Sequence, residues 1–146
     1  MLVDTSLIIY ATFTDTNEHQ RAREWLVEQT AGGDGSVVLC WPVLYAFVRL
    51  ASSIRVFGSS ALRVFEAWAT AEEIISQPST RLVSAGARHA RIAAELAATP
   101  GLRSDDVPDI EIAALAIEHG LVLATHDSGF RRFGGLRVHD PLGRVS

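Results

Sequence analysis

The 146-residue sequence contains no lysine; its 13 formally basic side chains are all arginines. That absence excludes whole chemistries. A phosphate-binding P-loop requires its lysine, a Schiff-base enzyme requires an amine, and the receiver domains of two-component signalling normally use a lysine too. Arginine grips phosphate with paired hydrogen bonds, although a GC-rich genome would produce the same bias with no functional demand. Cysteine is almost missing as well. Cys40 stands alone, so neither an internal disulfide nor a thiolate metal cluster can form. Its setting, Val37-Val38-Leu39-Cys40-Trp41, is that of a small buried core residue. No apolar run approaches the roughly 18 residues of a membrane span. Met1-Leu2-Val3-Asp4 lacks the basic lead-in of a signal peptide, so a cytoplasmic protein with no membrane partner is expected.

The residues that are present describe an ordinary globule. With 48% hydrophobic and 21% charged residues, one domain over residues 1–146 can bury a core. The net charge of −4 means that any nucleic-acid partner must meet a local basic surface.

Along the chain, apolar strand-like runs alternate with helical patterns. Leu2-Val3 reads as a short strand, followed by a helix through Leu7 to Tyr10. Asn17 is placed to cap a second helix that turns Ala22, Trp25 and Leu26 inward. Ser36 to Cys40 is an apolar, valine-rich strand covered on both faces. Pro42 fits the first turn of a helix running to about Ser53. Gly58 to Ser60 starts another, carrying Leu62, Phe65, Trp68 and Ala69. Arg81-Leu82-Val83 is a possible strand, Gly86 to Ala98 a helix, and Ser104 to Pro108 a polar loop. Asp109 to His119 is a helix closed by Gly120. Leu121 to Ala124 is a strand, and Leu136 to Val138 a possible edge strand. Such alternation predicts an α/β fold: a three-layer sandwich whose central, mainly parallel sheet carries helices on both faces.

In a sheet of this kind, sites form beyond the carboxyl ends of the strands. Asp4 stands at the end of the first strand and Asp127 at the end of a late one. Asp109 opens a helix whose inward stripe is expected to hold Ile112, Ala113 and Ala116, leaving Glu111 and Glu118 on a solvated face. Each aspartate has an ordinary explanation as a helix cap, a first-turn acid or a turn stabiliser. Three acids at one sheet edge raise one another's pKa, and a hard divalent cation relieves the repulsion.

Four segments then point further. Val3-Asp4-Thr5-Ser6, Trp41-Pro42-Val43-Leu44, Asp109-x-x-x-Ala113-Ala114-Leu115-Ala116 and Thr125-x-Asp127-x-x-Phe130 resemble, in order and spacing, the PIN-domain ribonucleases. The likeness is closest to the VapC-type toxins of bacterial toxin–antitoxin pairs and spans Leu2 to Pro141. The resemblance implies that Asp4 and Asp109 ligate Mg2+ or Mn2+, with Asp127 holding the metal directly or through water. It also implies that Thr5, Ser6 and Thr125 support the acids. The implied reaction is RNA phosphodiester hydrolysis leaving a 5′-phosphate and a 3′-hydroxyl, with transfer or ribosomal RNA as the target. A VapB-type antitoxin and a homodimer are the implied partners.

Two positions depart from that pattern. The family normally has a glutamate on the helix after Trp-Pro-Val-Leu, where this chain has Ala46. Either a toxic enzyme has been disarmed by substitution, or the natural protein has lost an acid. Gly129 stands where the family often has another acid. Asp105 or Asp106 can reach the site from their loop, whereas Glu111 is expected to face away. Arg49, Arg131 and Arg132 are candidates to flank the pocket and hold RNA phosphates, against the alternative of a solvated charged face. His126 is left out of the site, because strand alternation aims it elsewhere. Apolar residues between Tyr45 and Phe65, such as Val56 and Phe57, suit either a partner surface or the core. A phosphatase of the haloacid-dehalogenase type also begins with strand-Asp, but it needs an aspartate where this chain has Ser6, and a lysine.

Overall fold

The computed structural model describes residues 1–143; the last three positions of the expected domain lie outside them. Five short strands, β1 (Leu2–Val3), β2 (Val37–Cys40), β3 (Thr80–Val83), β4 (Leu123–Ala124) and β5 (Val138–His139), form one sheet in the order β3-β2-β1-β4-β5. Every pairing is parallel. Parallel neighbours require crossovers, which helices supply. They are α1 (Thr5–Thr12), α2 (His19–Thr30), α3 (Trp41–Ala51), α4 (Ile54–Phe57), α5 (Val64–Ile75), α6 (His89–Ala97) and α7 (Val107–Glu118). With right-handed crossovers, helices entering β2 and β3 cover one face and α6–α7, entering β4, cover the other. The result is an α/β sandwich of the expected class.

Chain direction across the sheet reverses between β1 and β4. From β1 the chain steps outward to β2 and β3, then returns past β1 to β4 and β5. Such a reversal opens a crevice at the carboxyl ends of the two central strands. Val3 pairs with Ala124, and the Asp4 amide donates to the Ala124 carbonyl at 2.9 Å. The first and last sheet-edge aspartates therefore leave adjacent strands at the same level.

The core explains why the central strands are so short yet hold their places. Leu2, Leu39, Cys40, Leu123 and Ala124 are wholly buried, as are Leu44 and Phe47 from α3. Helix α7 is buried along the continuous run Ile112–Ala116 and not only on the stripe Ile112, Ala113 and Ala116. It packs against α6 and α3, so small side chains are needed on more than one side.

Several expected details differ. The second helix starts at His19 with Glu18, not Asn17, at its N-cap, and no side chain caps it. Gly58–Ser60 forms a 3-10 turn after the short α4, and the helix proper begins at Val64. Its buried residues are Ala67 and Ala71, while Phe65 is 66% exposed. The segment from Gly86 to Ala98 keeps only His89–Ala97 as helix, because the residues before it are engaged by α7. Glu118, expected in solvent, is buried. Its carboxylate accepts from the amides of Gly86 at 3.1 Å and Arg88 at 3.3 Å, and those amides hold its pKa below the usual value. Helical periodicity alone cannot reveal a loop that folds over the last turn of a helix.

Candidate active site

Asp4 is the most enclosed of the three acids. It occupies the N-cap position of α1, yet its side chain makes no capping hydrogen bond. Instead Oδ2 accepts from Thr125 Oγ1 at 2.7 Å and from Ser6 Oγ at 3.1 Å. Burial raises its pKa, while the hydroxyls of Thr125 and Ser6 pull the other way. Its shortest hydrogen bond runs across to Thr125, just after β4, while the amides of Thr5 and Ser6 in its own helix also favour its charged form.

Thr125 joins two of the acids. Its hydroxyl donates to Asp4 and accepts from the Asp127 amide at 3.0 Å. Ser6 Oγ lies 3.5 Å from Thr125 Oγ1 and accepts from the His126 amide at 3.3 Å. Thr5 differs from the other two hydroxyls. Its hydroxyl donates to the Val43 carbonyl at 3.3 Å and makes no hydrogen bond to an acid among the described residues. That bond does tie the turn of α3 before Ala46 to the start of α1. Ala46 itself is half-buried on α3.

Asp127 keeps part of its ordinary explanation. Its Oδ1 accepts from the Gly129 amide at 2.8 Å and so caps the 3-10 turn Ser128–Arg132. A Cβ added to Gly129 would stand 3.0 Å from that oxygen, so an acid at position 129 requires the Asp127 carboxylate to give by a few tenths of an ångström. Tyr10 lies close enough for Asp127 to help burial and Glu18 raise its phenol pKa.

Asp109 sits in the first turn of α7, after Pro108. Its pKa is raised from 3.8 to about 6, chiefly by burial and then by the charge of Asp127, with Asp4 and Asp106 adding to the effect and Arg132 opposing it. The three candidate acids thus share one electrostatic field. They do not form a ready cage. Among the described residues, no group of three His, Cys, Asp or Glu side chains stands close enough to hold a metal ion. Asp109 takes its counter-charge from Arg132, whose Nη2 donates to Asp109 Oδ2 and to Asp106 Oδ1, each at 3.1 Å. Arg132 is one of the three candidates to flank the pocket and hold RNA phosphates. The acids are short of positive charge, and the guanidinium pairs with two of them while its side chain stays 32% exposed at the rim. Asp106 is the loop acid that reaches the site; Asp105 is exposed.

The donor set nonetheless suits a divalent cation of the magnesium type. All three groups are carboxylates, the hard oxygen ligands such ions prefer. Burial and mutual repulsion lift Asp109 far from its ordinary titration, which is the mark of a site short of positive charge.

Further residues were not legible as members of this neighbourhood. His126 Nδ1 lies 3.0 Å from both carboxylate oxygens of Asp140, and its ring meets Tyr10 edge-on at 5.8 Å between centroids. No sequence pattern announces that pair. Glu111 is exposed as expected but does not face away from the sheet edge. It lines a 180 Å³ cavity with Trp41, Pro42 and His89, and its charge, like that of Asp4, reaches Cys40, whose thiol is pushed up to about 11 mainly by burial. Arg49 and Arg131 are exposed and make no salt bridge among the described residues. Val56 is exposed, whereas Phe57 stacks on Phe13 at 3.8 Å and packs against the core.

Comparison with known proteins gives a consistent picture. The PIN domain model matches residues 1–136. The chain is 35% identical to ribonuclease VapC33 of Mycobacterium tuberculosis, covering 97% of this chain and 98% of that protein. It is 36% identical to ribonuclease VapC37 of the same organism, covering 96% of each. Among solved structures, VapBC2 from Rickettsia felis bound to a promoter DNA fragment superposes with a TM-score of 0.66 at 18% identity, covering 94% of this chain and 96% of that one.

Proposed function

The chain belongs to the PIN-domain family, and from that premise we propose that it is an endoribonuclease toxin of a VapBC-type toxin–antitoxin pair, built to cut RNA at the crevice between β1 and β4. The observation that carries this reading is the convergence of Asp4, Thr125 and Asp127 at the sheet's reversal point, with Asp109 inside the same field. Its curated relatives bear the name ribonuclease.

Asp4, Asp109 and Asp127 would hold Mg2+ or Mn2+. When bound, the ion lowers the pKa of a water and stabilises charge on the departing oxygen of an RNA phosphodiester. The protein's own part is orientation. Thr125 and Ser6 fix the Asp4 carboxylate so that its second oxygen is presented at one angle, as supporting groups do around metal ligands. Arg49 and Arg131, exposed and without a salt bridge among the described residues, would draw the RNA backbone to the acidic site. Cleavage would leave a 5′-phosphate and a 3′-hydroxyl, on transfer or ribosomal RNA.

Ala46 bears directly on turnover. An alanine neither ligates nor positions water, so the protein with Ala46 should cleave slowly. Ala46→Glu is expected to raise magnesium-dependent RNA cleavage at least about tenfold, read as product against time in a magnesium titration. Equal rates for the two forms would overturn this role for position 46. A second reading, an inert PIN scaffold that binds RNA or antitoxin, draws on Ala46 and Gly129; it prevails if neither form cleaves RNA.

The partners follow the same reading. A VapB-type antitoxin is supported by the VapBC complex among the structural neighbours. Tyr45, Ile54, Val56, Val64 and Phe65 are each more than half exposed, and such a run of large apolar groups suits a homodimer contact. Light scattering that reads a monomer at every concentration removes that contact. No helix among the described residues is long and apolar enough to cross a membrane, and an enzyme acting on cellular RNA would work in the cytoplasm.

A further inference from the structure

One cation already stands among the acids of this site, and its geometry has a use. Arg132 makes both of its hydrogen bonds among the described residues through one nitrogen, Nη2, shared between Asp106 Oδ1 and Asp109 Oδ2. A guanidinium carries five N–H donors, so most of its donor capacity is left for another anion. The group is held in place without being buried. It lies over the Phe133 ring at 5.0 Å, and Phe133 itself is buried. The side chain remains 32% exposed, against 27% for Asp109 and 23% for Asp106.

We propose that Arg132 is a tethered counter-cation that occupies Asp109 until a divalent ion and RNA displace it together, so that metal and RNA raise each other's affinity. This inference rests on the reading of the crevice as a metal-dependent nuclease site. Asp109 can give its Oδ2 fully to only one cation. An incoming metal must therefore compete with Arg132, which lowers its apparent affinity. A phosphate of the RNA backbone offers Arg132 a replacement partner of the same sign and better fork geometry. Once Arg132 turns to that phosphate, Asp109 is released to the metal. By linkage, whatever RNA does for the metal, the metal does for RNA. Asp106 keeps the guanidinium at the rim between the two positions, which makes it a positioning residue.

Manganese affinity tests this directly, because it is read without turnover. Binding of Mn2+ alone to the whole chain is measured by calorimetry and by electron paramagnetic resonance. It is then repeated with a short single-stranded oligodeoxynucleotide, which supplies the phosphates. Arg132→Met keeps the stem over Phe133 and removes the charge; Arg132→Lys keeps the charge. The Met variant is expected to bind Mn2+ about tenfold more tightly than the parent when no oligonucleotide is present. The oligonucleotide should tighten Mn2+ binding by the parent and by the Lys variant several-fold more than by the Met variant. Equal Mn2+ affinity for parent and Met variant, or equal gains from the oligonucleotide, overturns the counter-cation role while the nuclease reading stands. If no form binds Mn2+, including one carrying Ala46→Glu, the metal-dependent reading falls with it.

Discussion

Thr125 donates its hydroxyl to Asp4, 121 positions earlier in the chain, at 2.7 Å, and accepts the amide of Asp127 through the same oxygen at 3.0 Å. One side chain thereby sets the spacing of two acids that no local sequence joins. Thr125→Val keeps the shape and removes the hydroxyl. It should push the Asp4 pKa higher still, since the leading hydrogen bond opposing burial is lost. Metal affinity is expected to fall about tenfold or more. Thr125→Ser should restore most of it. Manganese titration of the three forms decides the matter, and an unchanged affinity in the valine variant would remove Thr125 from the site.

Asp109 makes the stability of the metal-free protein depend on pH. Its pKa is about 6 in the folded chain against an ordinary 3.8, so between these values the folded state holds a proton that the unfolded state has released. Stability then falls as pH rises through that window. Asp4, also shifted upward, acts in the same direction. Thermal melts from pH 4 to pH 7 in a chelator should show this decline, and Asp109→Asn should flatten it. A melting temperature that rises steadily over the same range in both forms contradicts the assignment.

Glu118 and Gly86 form a contact that tolerates little change. The carboxylate holds the amides of Gly86 and Arg88, and a Cβ on Gly86 would lie 2.6 Å from Glu118 Oε1. Gly86→Ala must displace that oxygen, which the Arg88 amide holds. Glu118→Ala leaves the loop amides without their acceptor. Each is expected to lower Tm by roughly 5 °C while RNA binding in the folded protein is retained. Calorimetry that finds either variant as stable as the parent would refute the structural role.

Arg131 and Arg49 should act through charge alone. Replacing either with alanine is expected to weaken RNA binding at low salt and reduce the salt slope by about one. Filter binding over a range of ionic strengths measures this. A slope that does not change assigns the arginine to ordinary solvated surface.

Local pattern in the chain was enough to establish the alternation of strands and helices, the parallel sheet and the placing of Asp4 and Asp127 at strand ends, because burial on both faces and helix periodicity are written in neighbouring residues. The recurrence of Asp109 above Ala113 and Ala116 marked a helix packed closely against something. What it packed against was settled only in three dimensions: α7 lies against both α6 and α3, so its whole middle is buried. The burial of Glu118, the pairing of His126 with Asp140 and the bridge from Arg132 to Asp106 and Asp109 were decided by tertiary structure in the same way. Each joins groups whose separation in the chain carries no periodic signal, and each forms because a charge removed from water takes the nearest partner that folding brings to it.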